Sequence, residues 1–145
     1  MKHRVHVLHG VNFDVLERRD PERYGGLTLT ELEVKIRAAA RELGLEASFY
    51  QTNHEGEFCE FLHRAGESSD GLVLNPGAWT HYSWAIRDAL EFARLPAVEV
   101  HLSDVMRREP WRHVSVFEGL TIATISGRGA EGYRDALVHI KEELE

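Results

Sequence analysis

The sequence predicts an α/β fold, with five parallel strands in one sheet and helices on both faces. Three observations carry this. Short apolar runs recur along the chain, as in Val5-His6-Val7-Leu8, Gly71-Leu72-Val73-Leu74 and Ala97-Val98-Glu99-Val100, each with the length of a buried strand. Between them, apolar residues fall at helical spacing, as in Leu32, Ile36, Ala39, Ala40 and Leu43. Strand and helix alternate along the chain, the pattern of a parallel sheet covered on both sides.

Val5 to Leu8 is the first strand. Residues 11–29 form a long polar connection holding Arg18, Arg19, Pro21, Tyr24, Gly25 and Gly26; connections of this length are usually functional or mobile. Thr30-Glu31-Leu32-Glu33 offers a capping box for the first helix, and Gly44 stops it. Ala47 to Gln51 is the second strand. Phe58, Phe61, Leu62 and Ala65 mark the second helix. Gly71 to Asn75 is the third strand, followed by a third helix over about residues 80–93. Ala97 to Leu102 is the fourth strand. Residues 103–118 read as irregular, polar and rich in arginine. Thr121 to Ser126 is the fifth strand, and Tyr133, Ala136, Leu137, Ile140 and Leu144 make the closing helix. No repeat or linker interrupts the chain, so residues 1–145 read as one domain. The strand order expected is 2-1-3-4-5, flavodoxin-like. Its switch point lies between strands 1 and 3, and ligands bind beyond their carboxyl ends.

Composition narrows the function. The formal net charge is −7, which argues against nucleic acid and against a basic membrane-surface helix. There is no long apolar run and no cleavable signal pattern, so a soluble cytoplasmic protein is expected. The one cysteine, Cys59, forms no intramolecular disulfide and sits beside Phe58 as a packed thiol. Of the nine histidines, His3, His6 and His9 fall on a strand, where side chains alternate faces; a metal site is not expected.

The strand tips carry the chemistry. They deliver His9-Gly10-Val11-Asn12, Asn75-Pro76-Gly77 and Glu99-Val100-His101-Leu102-Ser103. No Gly-x-Gly-x-x-Gly follows the first strand, so a dinucleotide is disfavoured. Gly127-Arg128-Gly129 reads as a turn. No Gly-x-Ser-x-Gly elbow is present, and no lysine sits at a strand tip. His101 is the acid–base candidate. Glu99, two residues earlier on the same strand face, would orient its imidazole; a purely structural His–Glu pair fits these residues equally. Tyr24 is a second candidate. Its phenol is a base only where positive charge stabilises the phenolate, and the neighbouring arginines offer that charge; a solvated loop is the alternative. His81 and Asp88, seven apart, fall on one face of the expected third helix, with Asp88 about 10 Å further along the axis. Among Arg107, Arg108 and Arg112, one would clamp an anionic group and the others be solvated. Trp79, Tyr82 and Trp84 suit a core or a subunit contact.

These segments together resemble type II 3-dehydroquinate dehydratase, from the first strand to the last helix. The resemblance is carried by Gly10-Val11-Asn12, Arg19-Asp20-Pro21-Glu22-Arg23-Tyr24-Gly25, Gln51-Thr52-Asn53-His54-Glu55-Gly56, Asn75-Pro76-Gly77-Ala78-Trp79-Thr80-His81, Ala85-Ile86-Arg87-Asp88-Ala89, Glu99-Val100-His101-Leu102-Ser103 and Gly129-Ala130-Glu131-Gly132-Tyr133. It implies a flavodoxin-like subunit, usually assembled as a dodecamer of trimers. It implies anti elimination of water from 3-dehydroquinate through an enolate, with no metal or cofactor. By the same resemblance, Tyr24 is the base and His101 the acid for the departing hydroxyl. Arg19 holds the phenolate on a lid at about residues 11–29, Glu99 orients His101, and Asn12 supports the enolate through a water. Asn75 and the Leu102-Ser103 backbone hold the substrate carboxylate, His81 and Arg112 bind ring hydroxyls, and Asp88 reaches an adjacent subunit's site.

The chain departs from the family's usual sequence at several places. The family usually reads Asn-Gly-Pro-Asn where this chain has His9-Gly10-Val11-Asn12, and Ser-Asn-Val-His where it has Ser103-Asp104-Val105-Met106. Trp79 replaces a usual tyrosine, and Pro110 interrupts an acidic pair. None of these removes a group assigned to the reaction. Two other readings fit the same residues: a divergent paralogue dehydrating a related cyclic polyol ketone, and a non-catalytic binding or scaffold protein of this fold. Turnover of 3-dehydroquinate separates the three.

Overall fold

The computed structural model describes residues 2–145. Strands β1 (Arg4–His9), β2 (Glu46–Gln51), β3 (Gly71–Asn75), β4 (Ala97–His101) and β5 (Ala123–Ser126) form one sheet in the order β2-β1-β3-β4-β5. Every strand pair is parallel. The expected order and class are both found. The central strands β3 and β4 are buried at every residue, so their sequences are apolar runs rather than alternations.

Among the described residues, five α-helices accompany the sheet: α1 (Pro21–Tyr24), α2 (Leu29–Glu42), α3 (Glu55–Arg64), α4 (Trp84–Ala93) and α5 (Glu131–Leu144). Alternation along the strands sends neighbours to opposite faces. Val73 and Val98 join Leu32, Ile36, Tyr133 and Leu137 of α2 and α5 in one core. Leu72 and Leu74 join Phe58, Leu62, Ile86 and Leu90 of α3 and α4 in the other. No described helix is long and apolar enough to cross a membrane.

The register brings the strand ends to a common edge. His9 pairs with Asn75 across β1 and β3, and Leu74 pairs with Glu99 across β3 and β4. The exits of β1 and β3 run in contact there. A Cβ on Gly10 would lie 2.3 Å from the Pro76 carbonyl oxygen, so only glycine allows that approach.

Local chemistry moves several expected boundaries. The capping box of α2 begins at Thr28, not Thr30. Thr28 Oγ1 accepts from Glu31 N–H at 3.0 Å, and Glu31 Oε1 accepts from Thr28 N–H at 3.0 Å. The expected third helix is two pieces. Gly77–His81 is a 3₁₀ turn, Tyr82 lies outside helical space at φ −154°, and Ser83 starts α4 by accepting from Ile86 N–H at 3.1 Å. His81 and Asp88 therefore do not share a helix face. The fifth strand begins at Ala123 rather than Thr121. Cys59 is half-buried, and burial pushes its thiol up from the ordinary value. Trp79 is buried, whereas Tyr82 and Trp84 are exposed.

The two polar connections carry short helical turns. Residues 11–29 carry a 3₁₀ segment, Phe13–Arg18, and then α1. Asp20 caps α1 by accepting from Glu22 N–H, Pro21 takes the first helical position, and Gly25 closes it at φ +85°. Those are the residues a single helical turn requires at start and stop. Residues 103–118 hold two 3₁₀ turns, Val105–Arg107 and Pro110–His113.

Candidate active site

A narrow cavity opens where β1, β3 and β4 end, under the 11–29 connection. Tyr24 enters it from α1, His101 from the tip of β4, and Asn75 from the tip of β3. Sequence-proximal Arg19 reaches the Tyr24 phenol oxygen and donates to it from Nη2 at 2.7 Å. Arg108 Nη1 donates to the same oxygen at 2.5 Å. Both guanidiniums also lie near the Tyr24 ring centroid, at 4.0 and 5.4 Å. Two cationic donors thus meet on one phenol oxygen.

His101 Nε2 bonds Glu99 Oε2 at 2.5 Å. The pair is buried, because both side chains leave the same face of a central strand. Ser115 Oγ donates to the other carboxylate oxygen, Oε1, at 2.7 Å. Both Glu99 oxygens are thus engaged, and the buried carboxylate fixes the orientation of the imidazole. With Nε2 taken, Nδ1 is the ring nitrogen left for a ligand.

Asn75 is oriented without ambiguity. Its Oδ1 accepts from Gly77 N–H at 3.2 Å, and its Nδ2 donates to the Tyr133 hydroxyl at 3.2 Å. One N–H of the Asn75 amide keeps no protein partner and remains to donate to a ligand. Tyr133 is fully buried, and desolvation raises its pKa, so its hydroxyl stays neutral as that anchor.

His81 is fixed in one tautomer. Nδ1 lies 2.7 Å from the Val114 carbonyl oxygen, which only accepts, so Nδ1 carries the proton. Burial holds its pKa below the ordinary histidine value, with the charges on His101 and Arg112 acting in the same direction. The neutral ring then presents Nε2 to the cavity as an acceptor. Arg112 lines the same wall and is held by Glu109 Oε2 at 3.2 Å.

Of the residues named from sequence, Arg19, Tyr24, Asn75, His81, His101, Leu102, Ser103 and Arg112 line this one cavity. Glu99 stands behind His101. Asn12 does not line it. Its backbone is left-handed at φ 71°, pinned by Asn53 Oδ1, which accepts from Asn12 N–H at 2.8 Å. Asp88 is exposed on α4 and is not among the lining residues. Arg108 is the residue that sequence reading did not single out from Arg107 and Arg112. Its side chain is 8% exposed while that of Arg107 is 88% exposed, and no local pattern separates two adjacent arginines in a polar segment. Arg108 Nη1 also donates to Ser103 Oγ at 3.2 Å. Among the described residues, no cluster of three or more His, Cys, Asp or Glu is arranged to hold a metal ion.

A doubly wound parallel sheet, with a cation-held phenol and a carboxylate-held imidazole in one cavity at its carboxyl edge, defines the class as flavodoxin-like. Comparison with known proteins narrows it. The family model described as "Dehydroquinase class II" matches residues 3–141. A protein of Pseudomonas putida named 3-dehydroquinate dehydratase 2 is 48% identical over 145 residues, covering 100% of this chain and 97% of its own. The 3-dehydroquinate dehydratase of Pelobacter propionicus is 44% identical, covering 97% and 95%. The crystal structure of type II dehydroquinase from Propionibacterium acnes superposes with a TM-score of 0.91 at 38% identity, covering 98% of each chain. The chain belongs to the class II dehydroquinase family.

Proposed function

We propose that this protein is a hydro-lyase that converts 3-dehydroquinate to 3-dehydroshikimate by anti elimination through an enolate. The observation that carries the reading is the pairing in one cavity of Tyr24, whose phenol oxygen meets two guanidiniums, with His101, whose ring is bound to buried Glu99. The first can hold a phenolate base and the second an imidazolium acid, and elimination needs one of each.

In this reading the Tyr24 phenolate removes the C2 proton, which is acidic because it is α to the C3 ketone. The electron pair moves onto the ketone oxygen as an enolate. Collapse of the enolate forms the C1–C2 double bond and expels the C1 hydroxyl, which takes a proton from His101 and leaves as water. Glu99 balances the imidazolium before transfer. The free Asn75 N–H and the Leu102-Ser103 backbone hold the substrate carboxylate, while His81 Nε2 and Arg112 take ring hydroxyls. Asn12 lies beyond the cavity lining, so it supports the enolate only through an intervening water. Residues 11–29 act as a lid that brings Arg19 and Tyr24 onto bound substrate and excludes solvent.

A homo-oligomer is part of this reading, and an unpaired group supports it. Arg108 Nε is buried without a hydrogen-bond partner; the nearest carboxylate, on Glu109, is 3.7 Å away. Asp88 lies exposed on α4 between Trp84 and Phe92, which are 64% and 73% exposed. In a homo-oligomer, this apolar face docks and a carboxylate of the partner completes Arg108.

The test is direct. Purified protein mixed with 3-dehydroquinate generates the ultraviolet absorbance of the conjugated enone. No absorbance change at high enzyme concentration contradicts the proposal, and product from a related polyol ketone alone favours the paralogue.

A further inference from the structure

The elimination proposed above leaves Trp111 without a part, yet Trp111 touches two cavity residues at once. Its indole meets the His81 ring at right angles, with centroids 5.3 Å apart and an interplanar angle of 86°. The guanidinium carbon of Arg112 lies 4.1 Å from the centroid of the same indole. Trp111 itself does not line the cavity and is 49% exposed.

The row extends inward. His81 stacks on His101 with centroids 6.1 Å apart and planes 20° from parallel. The groups run Glu99, His101, His81, Trp111, Arg112, and Glu109 then closes the far end on Arg112 Nε at 3.2 Å. A carboxylate therefore stands at each end of a continuous row of flat groups, stacked at His101–His81 and edge-on at His81–Trp111. The turn that carries Trp111 is itself fixed. Pro110 occupies its first position, and His113 Nε2 donates to the Arg108 carbonyl oxygen at 3.1 Å.

His81 is tethered by only one hydrogen bond, to the Val114 carbonyl. A single tether leaves the ring free to rock, and a long arginine side chain loses rotamer freedom when it must hold one geometry. A rigid indole between them removes both freedoms at once.

We propose that Trp111 is a positioning residue for substrate recognition, setting the separation between the His81 Nε2 acceptor and the Arg112 donors so that both meet hydroxyls of one polyhydroxylated ring. The proposal rests on the assignment of this cavity to 3-dehydroquinate. It makes Trp111 a specificity element, acting through the two residues it touches.

Two variants and two readouts test it. Trp111→Ala raises KM by about tenfold, the scale of losing one aromatic and one cation–π contact. Its kcat and Tm stay near those of the unmodified protein, and Trp111→Phe recovers most of the KM. Unchanged KM in Trp111→Ala overturns the proposal, as does a KM rise accompanied by an equal fall in Tm. The second readout needs no turnover. A protonated imidazole quenches an adjacent indole, so the emission difference between the unmodified protein and Trp111→Phe falls as pH drops below 6.5. His101, Glu99 and Arg112 are the other charged groups acting on His81, so His81→Asn is the control that abolishes the step. A pH-independent emission difference contradicts the contact. This second readout stands even if 3-dehydroquinate is not turned over, so the Trp111–His81 contact on which the proposal rests is tested separately from the reaction.

Discussion

Arg108 donates from Nη1 to the Tyr24 phenol oxygen at 2.5 Å, across 84 residues of sequence. This contact joins the turn after β4 to the segment after β1, and with Arg19 it puts two guanidiniums on one oxygen. The base proposed for the reaction is therefore assembled from two connections that are polar and far apart in the chain.

Tyr24→Phe removes the oxygen and keeps the ring under both guanidiniums. Turnover is expected to be abolished, while calorimetry shows substrate or product binding within several-fold of normal. Near-normal kcat rules out Tyr24 as the base.

Arg108→Lys is expected to lower kcat by about 10²- to 10³-fold, the scale of losing one charged donor from an anion-stabilising site. A lysine lacks the planar guanidinium that here donates to both Tyr24 and Ser103. If single-turnover rates of Arg108→Lys match those of the unmodified protein, the second guanidinium is not part of the base.

Glu99→Gln keeps the shape of the buried pair and removes the negative charge beside His101. A fall in kcat of about 10²-fold or more is expected, within the usual range for a general acid, with a smaller change in KM. Unaltered kcat returns Glu99 and His101 to the purely structural reading.

Stability should also depend on pH in a defined window. Burial holds His6 and His81 below the ordinary histidine value, with Arg4 adding to the effect at His6. Between that lowered value and 6.5, the unfolded chain binds more protons than the folded one. Their contribution is therefore full above pH 6.5 and is lost as pH falls through the folded-state values. Thermal melts from pH 7.5 to 5 should show Tm dropping in that window, and His81→Asn should flatten the drop. A Tm that is constant in both proteins contradicts the burial argument.

The sheet was legible because buried parallel strands leave runs that nothing else in this chain imitates. Gly71 to Asn75 and Ala97 to His101 are found within a residue of where their apolar runs place them. The helix starts were less so. Thr28 and Thr30 both precede a glutamate at suitable spacing, and only the backbone decides that Thr28 caps. Tyr82 breaks the segment before α4 although nothing in its side chain forbids a helix; the Ser83 cap sets the break. Strand-tip residues such as Asn75 and His101 were found because their position follows from topology. Arg108 was not, because which of two neighbouring arginines turns inward depends on the Val105–Arg107 turn and on the distant Tyr24 it meets.

The central claim is that a Tyr24 base and a His101 acid remove water from 3-dehydroquinate. The most direct test follows enone absorbance after adding 3-dehydroquinate to the unmodified protein and to Tyr24→Phe side by side. The enone is expected to appear rapidly with the first and not at all with the second. Absence of enone with both, or equal rates with both, would contradict it.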